Sequence, residues 1–279
     1  MSQTRTAPGT ATARRRVPTE SGRSVDSQVP YDVRALEPRR EGSAVSIARR
    51  LGGWHPAAVF AVTTVVGAVV LSALAIAIGL LLVHVLLPFH ALGRADEDVN
   101  DWLAAHRTHG LNTATFVGSA VGDIPAVPGL VALTALVSAV LRRWRVAAFM
   151  VGAILIEVTT YRVTSLLVHR ERPTVPRLDH LPVNQSYPSG HVAASVVVYV
   201  GLALLLTSWA RKRWVTVACW TLAVALPVLV ACSRLYRGMH HPTDAGVGAL
   251  VGFGAIAIAL LAARAAGSEV RIRSASGRA

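Results

Sequence analysis

Cysteine, lysine, aromatic residues and charge are all scarce in this 279-residue chain. It has two cysteines, Cys219 and Cys232, and both fall in one apolar run, roughly 20 Å apart along a helix axis. That separation excludes a bridge within the run, and no Cys/His metal-ligand spacing appears elsewhere. Lys212 is the sole lysine, so arginine supplies nearly all the basicity. Charged residues make up 15% of the chain, against about a quarter in a water-soluble globular protein. That shortage, with 53% hydrophobic residues and a mean hydropathy of +0.48, excludes an ordinary soluble domain. The net charge of +13 does not point to nucleic acid. The arginines lie in the tails and the short loops between apolar runs, where membrane topology accounts for them.

The first fifty residues hold ten arginines, five acids and four prolines without a sustained apolar pattern. They read as a disordered basic cytoplasmic tail. No short apolar stretch follows the early basic residues, so the segment does not read as a signal peptide. Six apolar segments follow, over 57–88, 115–140, 146–168, 191–209, 214–232 and 244–263. Each meets or approaches the ~20 residues a helix needs to cross the hydrocarbon core. The expectation is an all-α membrane bundle of six transmembrane helices over 51–265, followed by a cytoplasmic tail over 266–279. Arg142, Arg143 and Arg145 in the second loop and Arg211, Lys212 and Arg213 in the fourth share the basic sign of both tails. The first loop carries Asp96, Glu97, Asp98 and Asp101 instead. By the positive-inside rule both termini lie in the cytoplasm and the odd loops outside.

The odd loops also carry the chemistry. The third contains Arg170-Glu171-Arg172-Pro173 and then Tyr187-Pro188-Ser189-Gly190-His191. The fifth contains Ser233-Arg234, five residues, His240, three residues and Asp244. A span count that ignores these motifs still puts them all on one membrane face. Their residue types suit phosphoryl transfer. Arg172 and Arg234 offer planar, permanently charged forks that match a phosphate. Ser189, Gly190 and His191 open a helix, whose free amides and positive dipole end attract an anion. Of two histidines, one can attack phosphorus while neutral and the other can protonate the departing alkoxide. Asp244, four residues beyond His240, is placed to accept the Nδ1 proton of His240.

These motifs resemble those of the type 2 phosphatidic-acid phosphatase superfamily, in its membrane branch: Lys-x6-Arg-Pro, Pro-Ser-Gly-His and Ser-Arg-x5-His-x3-Asp. The chain has the second as Pro188-Ser189-Gly190-His191 and the third in full from Ser233 to Asp244. The resemblance covers roughly 57–263. It implies that His240 is the nucleophile, held by Asp244, that His191 is the general acid, and that Arg172, Ser189, Gly190 and Arg234 cradle the phosphate. It implies no metal and no cofactor. The lysine of the first motif falls on Ser165, which brings no charge. Arg162, one turn earlier on the same face, is the candidate substitute contact, the alternative being that it pairs with Asp123 or Glu157.

The function expected is therefore a metal-independent phosphatase of the plasma membrane, hydrolysing a lipid phosphate or pyrophosphate from the extracytoplasmic side through a phosphohistidine. Phosphatidic acid, phosphatidylglycerophosphate and polyprenyl (pyro)phosphate all suit such a site. Two other readings use the same residues differently: a phosphotransferase that passes the phosphoryl or head group to an alcohol, and a non-catalytic transporter or scaffold. The spans disfavour a haloperoxidase. Oligomeric state is not legible.

Overall fold

Apolar runs of this length must satisfy their own backbone polar groups in lipid, and a helix does so within one segment. The computed structural model describes residues 33–89, 91–123, 126–179 and 185–276. All regular structure among the described residues is helical: α1 (Ser43–Arg50), α2 (Pro56–Leu81), α3 (Ala91–Ala105), α4 (His109–Ala120), α5 (Ala126–Val140), α6 (Trp144–Leu167), α7 (Gly190–Thr207), α8 (Arg213–Tyr236) and α9 (Pro242–Ser276). A π-helical turn (Leu82–Leu86) and a short 3₁₀ turn (Leu87–Phe89) extend α2. Five helical segments are long and apolar enough to cross a membrane, and the chain is a multi-pass membrane protein.

The expected second span is not one helix. It is divided between α4, of 12 residues, and α5, of 15. The helix stops at Val121-Gly122-Asp123, ahead of Pro125 and Pro128, and a proline disfavours helical geometry at the residue before it. Six continuous spans are therefore not found among the described residues.

The two expected tails also differ. Residues 1–32 lie outside the described residues. Residues 33–50, expected to be disordered, form a 3₁₀ turn at Arg34–Leu36 and helix α1, and Val33, Leu36 and Ala48 are buried. Arg145 donates to the carbonyls of Leu36 and Ala263, and Arg264 donates to that of Ala35, which seats this segment on the far end of α9. The expected C-terminal tail continues α9 instead, as far as Ser276.

The core lies between α6, α7 and α9, where Phe149, Met150, Ile156, Val197, Ala255 and Ala259 are buried together. Two glycines let α9 reach α7. A Cβ on Gly248 would stand 2.4 Å from the Ser189 carbonyl oxygen, and one on Gly252 would stand 2.6 Å from that of Ala193. By contrast α2 and α8 leave Val65, Val69, Leu74, Val224 and Val228 exposed, as lipid-facing surfaces do. Along α9, Asp244 and Arg264 are twenty residues apart, roughly 30 Å, which is about one hydrocarbon thickness.

Candidate active site

Four helix ends meet at the Asp244 end of α9: the C-termini of α6 and α8 and the N-termini of α7 and α9. Backbone and side-chain bonds tie the connecting segments together. Ser189 N–H donates to the Asp244 carbonyl at 3.1 Å, and the Arg172 guanidinium donates to the Met239 carbonyl. The imidazole of His240 places Nδ1 2.6 Å from the Ser186 carbonyl oxygen. The charge of His191, 49 positions earlier in the chain, reaches the His240 imidazole.

His240 is 3% exposed. It rides on the turn between α8 and α9, where Gly238 adopts φ +70°, a conformation that favours glycine. With Nδ1 against a carbonyl, that nitrogen carries the proton and Nε2 is left as the lone-pair donor. Asp244 does not perform this orientation, contrary to the sequence expectation. It occupies the third position of α9, so its carboxylate folds back on the amide of His241 at 2.9 Å, in capping-box geometry. The same oxygen lies 3.1 Å from His241 Nδ1, and the other accepts from Arg170. Burial holds the His240 imidazole well below the ordinary histidine range, with Arg172, Arg234 and His191 adding to the effect against the pull of Asp244.

His191 opens α7, and its Nε2 lies 3.2 Å from Asp123 Oδ1. Asp123 stands at the break between α4 and α5, so the interruption of the second apolar run puts a carboxylate beside the candidate acid. Arg234 is 2% exposed and donates through Nη1 to Ser119 Oγ and Asp179 Oδ2, both at 2.9 Å. Its Nε and Nη2, and the hydroxyl of Ser189, are buried with no protein partner. Buried polar groups are normally hydrogen-bonded, and a tetrahedral oxyanion is the acceptor these donors suit. Arg172 is 6% exposed; burial first, then Arg234, lowers its pKa to about 10, so it stays charged at neutral pH. Burial pushes the Asp179 carboxyl up, but its bonds to Arg237 and the nearby charge of Arg234 outweigh this and leave it below the usual range. Gly190 faces the Tyr161 ring, 3.1 Å from where a Cβ would lie.

The first-motif positions depart from expectation. Ser165 spends its hydroxyl on the Tyr161 carbonyl at 2.7 Å, the back-bond a buried serine makes inside a helix, and so is not a phosphate contact. Arg162 is exposed and is not drawn into the pocket. It pairs with neither Asp123 nor Glu157, and an arginine on an outer helical face reaches the interface along its own stem. Arg162→Ala is accordingly expected to change turnover by less than about twofold, as surface substitutions do, measured as phosphate release by purified protein.

Several site residues were not anticipated: Ser119, Asp123 as partner of His191, Ser186 and Asp96. Ser186 acts through its carbonyl, which leaves no trace in residue type. Asp96 carries a signal in hindsight, since it is an acid on the buried face of the amphipathic α3, where Asn100 is also buried. A cavity of about 450 Å³ lies between α3 and the Arg170–Thr174 segment, with Arg94, Arg172 and His241 among its walls.

The PAP2 superfamily model matches residues 145–267, which run from α6 into α9. An undecaprenyl-diphosphatase from Sulfolobus acidocaldarius is 36% identical over 107 residues, covering 38% of this chain and 48% of that protein. The chain thus spans about half the length of this curated relative. The crystal structure of a transmembrane PAP2 type phosphatidylglycerolphosphate phosphatase from Bacillus subtilis superposes with a TM-score of 0.57 at 22% identity, over 73% of this chain and 93% of that one. That likeness supports the fold.

Proposed function

We propose, from the premise that residues 145–267 belong to the PAP2 superfamily, that this chain is a lipid-phosphate phosphatase working through a phosphohistidine. The observation that carries the reading is that Ser189, two residues before His191, bonds through its amide to the Asp244 carbonyl, Arg172 bonds to the Met239 carbonyl beside His240, and the Ser189 hydroxyl with Arg234 Nε and Nη2 is buried without a protein partner. His240 Nε2 attacks phosphorus while Nδ1–H stays on the Ser186 carbonyl. An N–P bond forms and the P–O ester bond breaks. Arg172, Arg234, Ser189 and Gly190 hold the phosphoryl oxygens. His191 gives its proton to the leaving oxygen, with Asp123 holding the ring. Water, deprotonated by His191, then breaks the N–P bond and releases inorganic phosphate. The substrate is a membrane amphiphile whose phosphate lies at the interface, such as a polyprenyl (pyro)phosphate or phosphatidylglycerophosphate, the classes after which the two relatives are named.

The break between α4 and α5 suits a crossing made by the pair together. With that pair counted, the termini share the cytoplasmic side and the site opens to the extracytoplasmic side of the plasma membrane. The basic residues around Arg142–Arg145 and Arg264–Arg273, at the end remote from His240, support this orientation. A panel of phosphorylated lipids, assayed in detergent with EDTA, tests substrate and metal independence together. Absence of phosphate release from every member would reject the reading.

The pH dependence follows from the lowered pKa of His240. The attacking form is the neutral one, and protonation as pH falls removes it. Because the folded pKa lies below the ordinary value of about 6.5, the nucleophile stays neutral throughout the neutral range. The acid limb of kcat/KM is expected below pH 6.5; a limb above it would contradict the burial of this imidazole.

A further inference from the structure

We infer that Asp96 and Arg170 are positioning residues for His240, acting through an ion-pair chain that joins the amphipathic helix α3 to the first turn of α9. The inference rests on the phosphatase reading above. Arg170 is 7% exposed, and both ends of its guanidinium are engaged. Nη2 donates to Asp96 Oδ2 at 2.6 Å; Nη1 donates to Thr243 Oγ1 at 2.6 Å and to Asp244 Oδ1 at 2.5 Å. Asp96 also receives the Thr243 amide at 3.2 Å and its hydroxyl at 2.5 Å. Farther out, His241 Nε2 lies 3.0 Å from Glu97 Oε1.

The bonds converge on the segment that follows His240. The first amides of a helix have no partner inside it. Here Asp244 takes the amide of His241, and Asp96 takes that of Thr243. The turn that presents His240 is thus clamped by carboxylates on one side and by Ser186 on the other. Asp244 has no spare geometry for His240 because Arg170 and His241 consume its oxygens, so its contribution to catalysis passes through this clamp. Asp96 lies outside the 145–267 match, and Arg170 lies two residues before Arg172. A displaced nucleophile is costly, since a misplacement near 1 Å can cost roughly 10²-fold in rate. The phosphate donors Arg172, Arg234 and Ser189 are not part of the chain, so binding and turnover should separate.

The test compares wild-type, Asp96→Asn and Thr243→Val proteins in detergent, with kcat and KM for a cleaved lipid phosphate and the inhibition constant of inorganic phosphate. Asp96→Asn is expected to lower kcat roughly 10²-fold, with KM and phosphate inhibition within about twofold of wild type. Thr243→Val removes one hydroxyl from the clamp but no ion pair; it is expected to lower kcat severalfold in the same pattern. Should Asp96→Asn fail to fold, Thr243→Val alone carries the comparison. Unchanged kcat in a folded variant overturns the inference, as does a parallel loss of kcat and phosphate inhibition. A wild-type protein without activity on any lipid phosphate instead overturns the phosphatase reading.

Discussion

Replacing His240 with alanine is expected to lower kcat for phosphate release by at least about 10⁴-fold, the scale on which loss of a covalent nucleophile acts. No neighbouring group can take its place. His241, the adjacent imidazole, is held by Asp244 on one nitrogen and Glu97 on the other. Arg172 and Arg234 are cations without a lone pair to give. The phosphate-binding donors remain, so the variant should still be competed by inorganic phosphate. A second measurement separates the covalent route from direct attack by water. Rapid quenching of wild-type protein with labelled substrate should trap an acid-labile, alkali-stable phosphoryl adduct that His240→Ala lacks. Phosphate release at the wild-type rate from His240→Ala would remove the enzyme reading altogether.

Replacing His191 with alanine should be nearly as damaging, but selectively. General-acid catalysis contributes roughly 10²–10⁴-fold, and its worth depends on how badly the leaving oxygen needs a proton. An alkyl phosphate departs as a strongly basic alkoxide, whereas an aryl phosphate with an acidic phenol departs unaided. In kcat/KM, which reports only the steps up to the phosphohistidine and not its hydrolysis, the expected loss is therefore roughly 10³-fold on a lipid alkyl phosphate and about tenfold or less on an activated aryl phosphate. Equal losses on both would assign His191 to phosphate binding. Asp123→Asn should follow the same pattern more weakly, because the carboxylate acts through the His191 ring.

Much of this site is visible in the letters of the chain, because the chemistry demands residue types at set spacings. Histidines that attack and protonate, and arginines that bracket phosphate, have few substitutes, and Pro188–His191 and Ser233–Asp244 display them openly. The apolar runs likewise announce the helices, since in lipid an unbroken apolar run of about 20 residues satisfies its own backbone as a helix. What the letters conceal is which acceptor each donor finds. His240 has a carboxylate four residues later, at a spacing that invites pairing. In space, the helix begins between them, so the carboxylate folds onto its own cap and the ring turns to a peptide oxygen. Arg170 looks like a loop arginine until α3 brings Asp96 alongside. The break after α4 was signalled by Gly122-Asp123 and two prolines, but apolar residues on both sides masked it. Residues 33–50 look polar overall, and only the seating of Val33, Leu36 and Ala48 reveals that they are ordered.

His240, the proposed nucleophile, sits on the turn immediately before α9, while its carbonyl partner, the candidate acid and the clamp come from segments made earlier. During synthesis, then, every chain shorter than about 250 residues carries an unassembled centre, however many helices have already entered the bilayer. On the proposed function, the centre is complete only once α9 stands beside α7, with Gly248 and Gly252 against peptide oxygens that an added Cβ would meet at 2.4 and 2.6 Å.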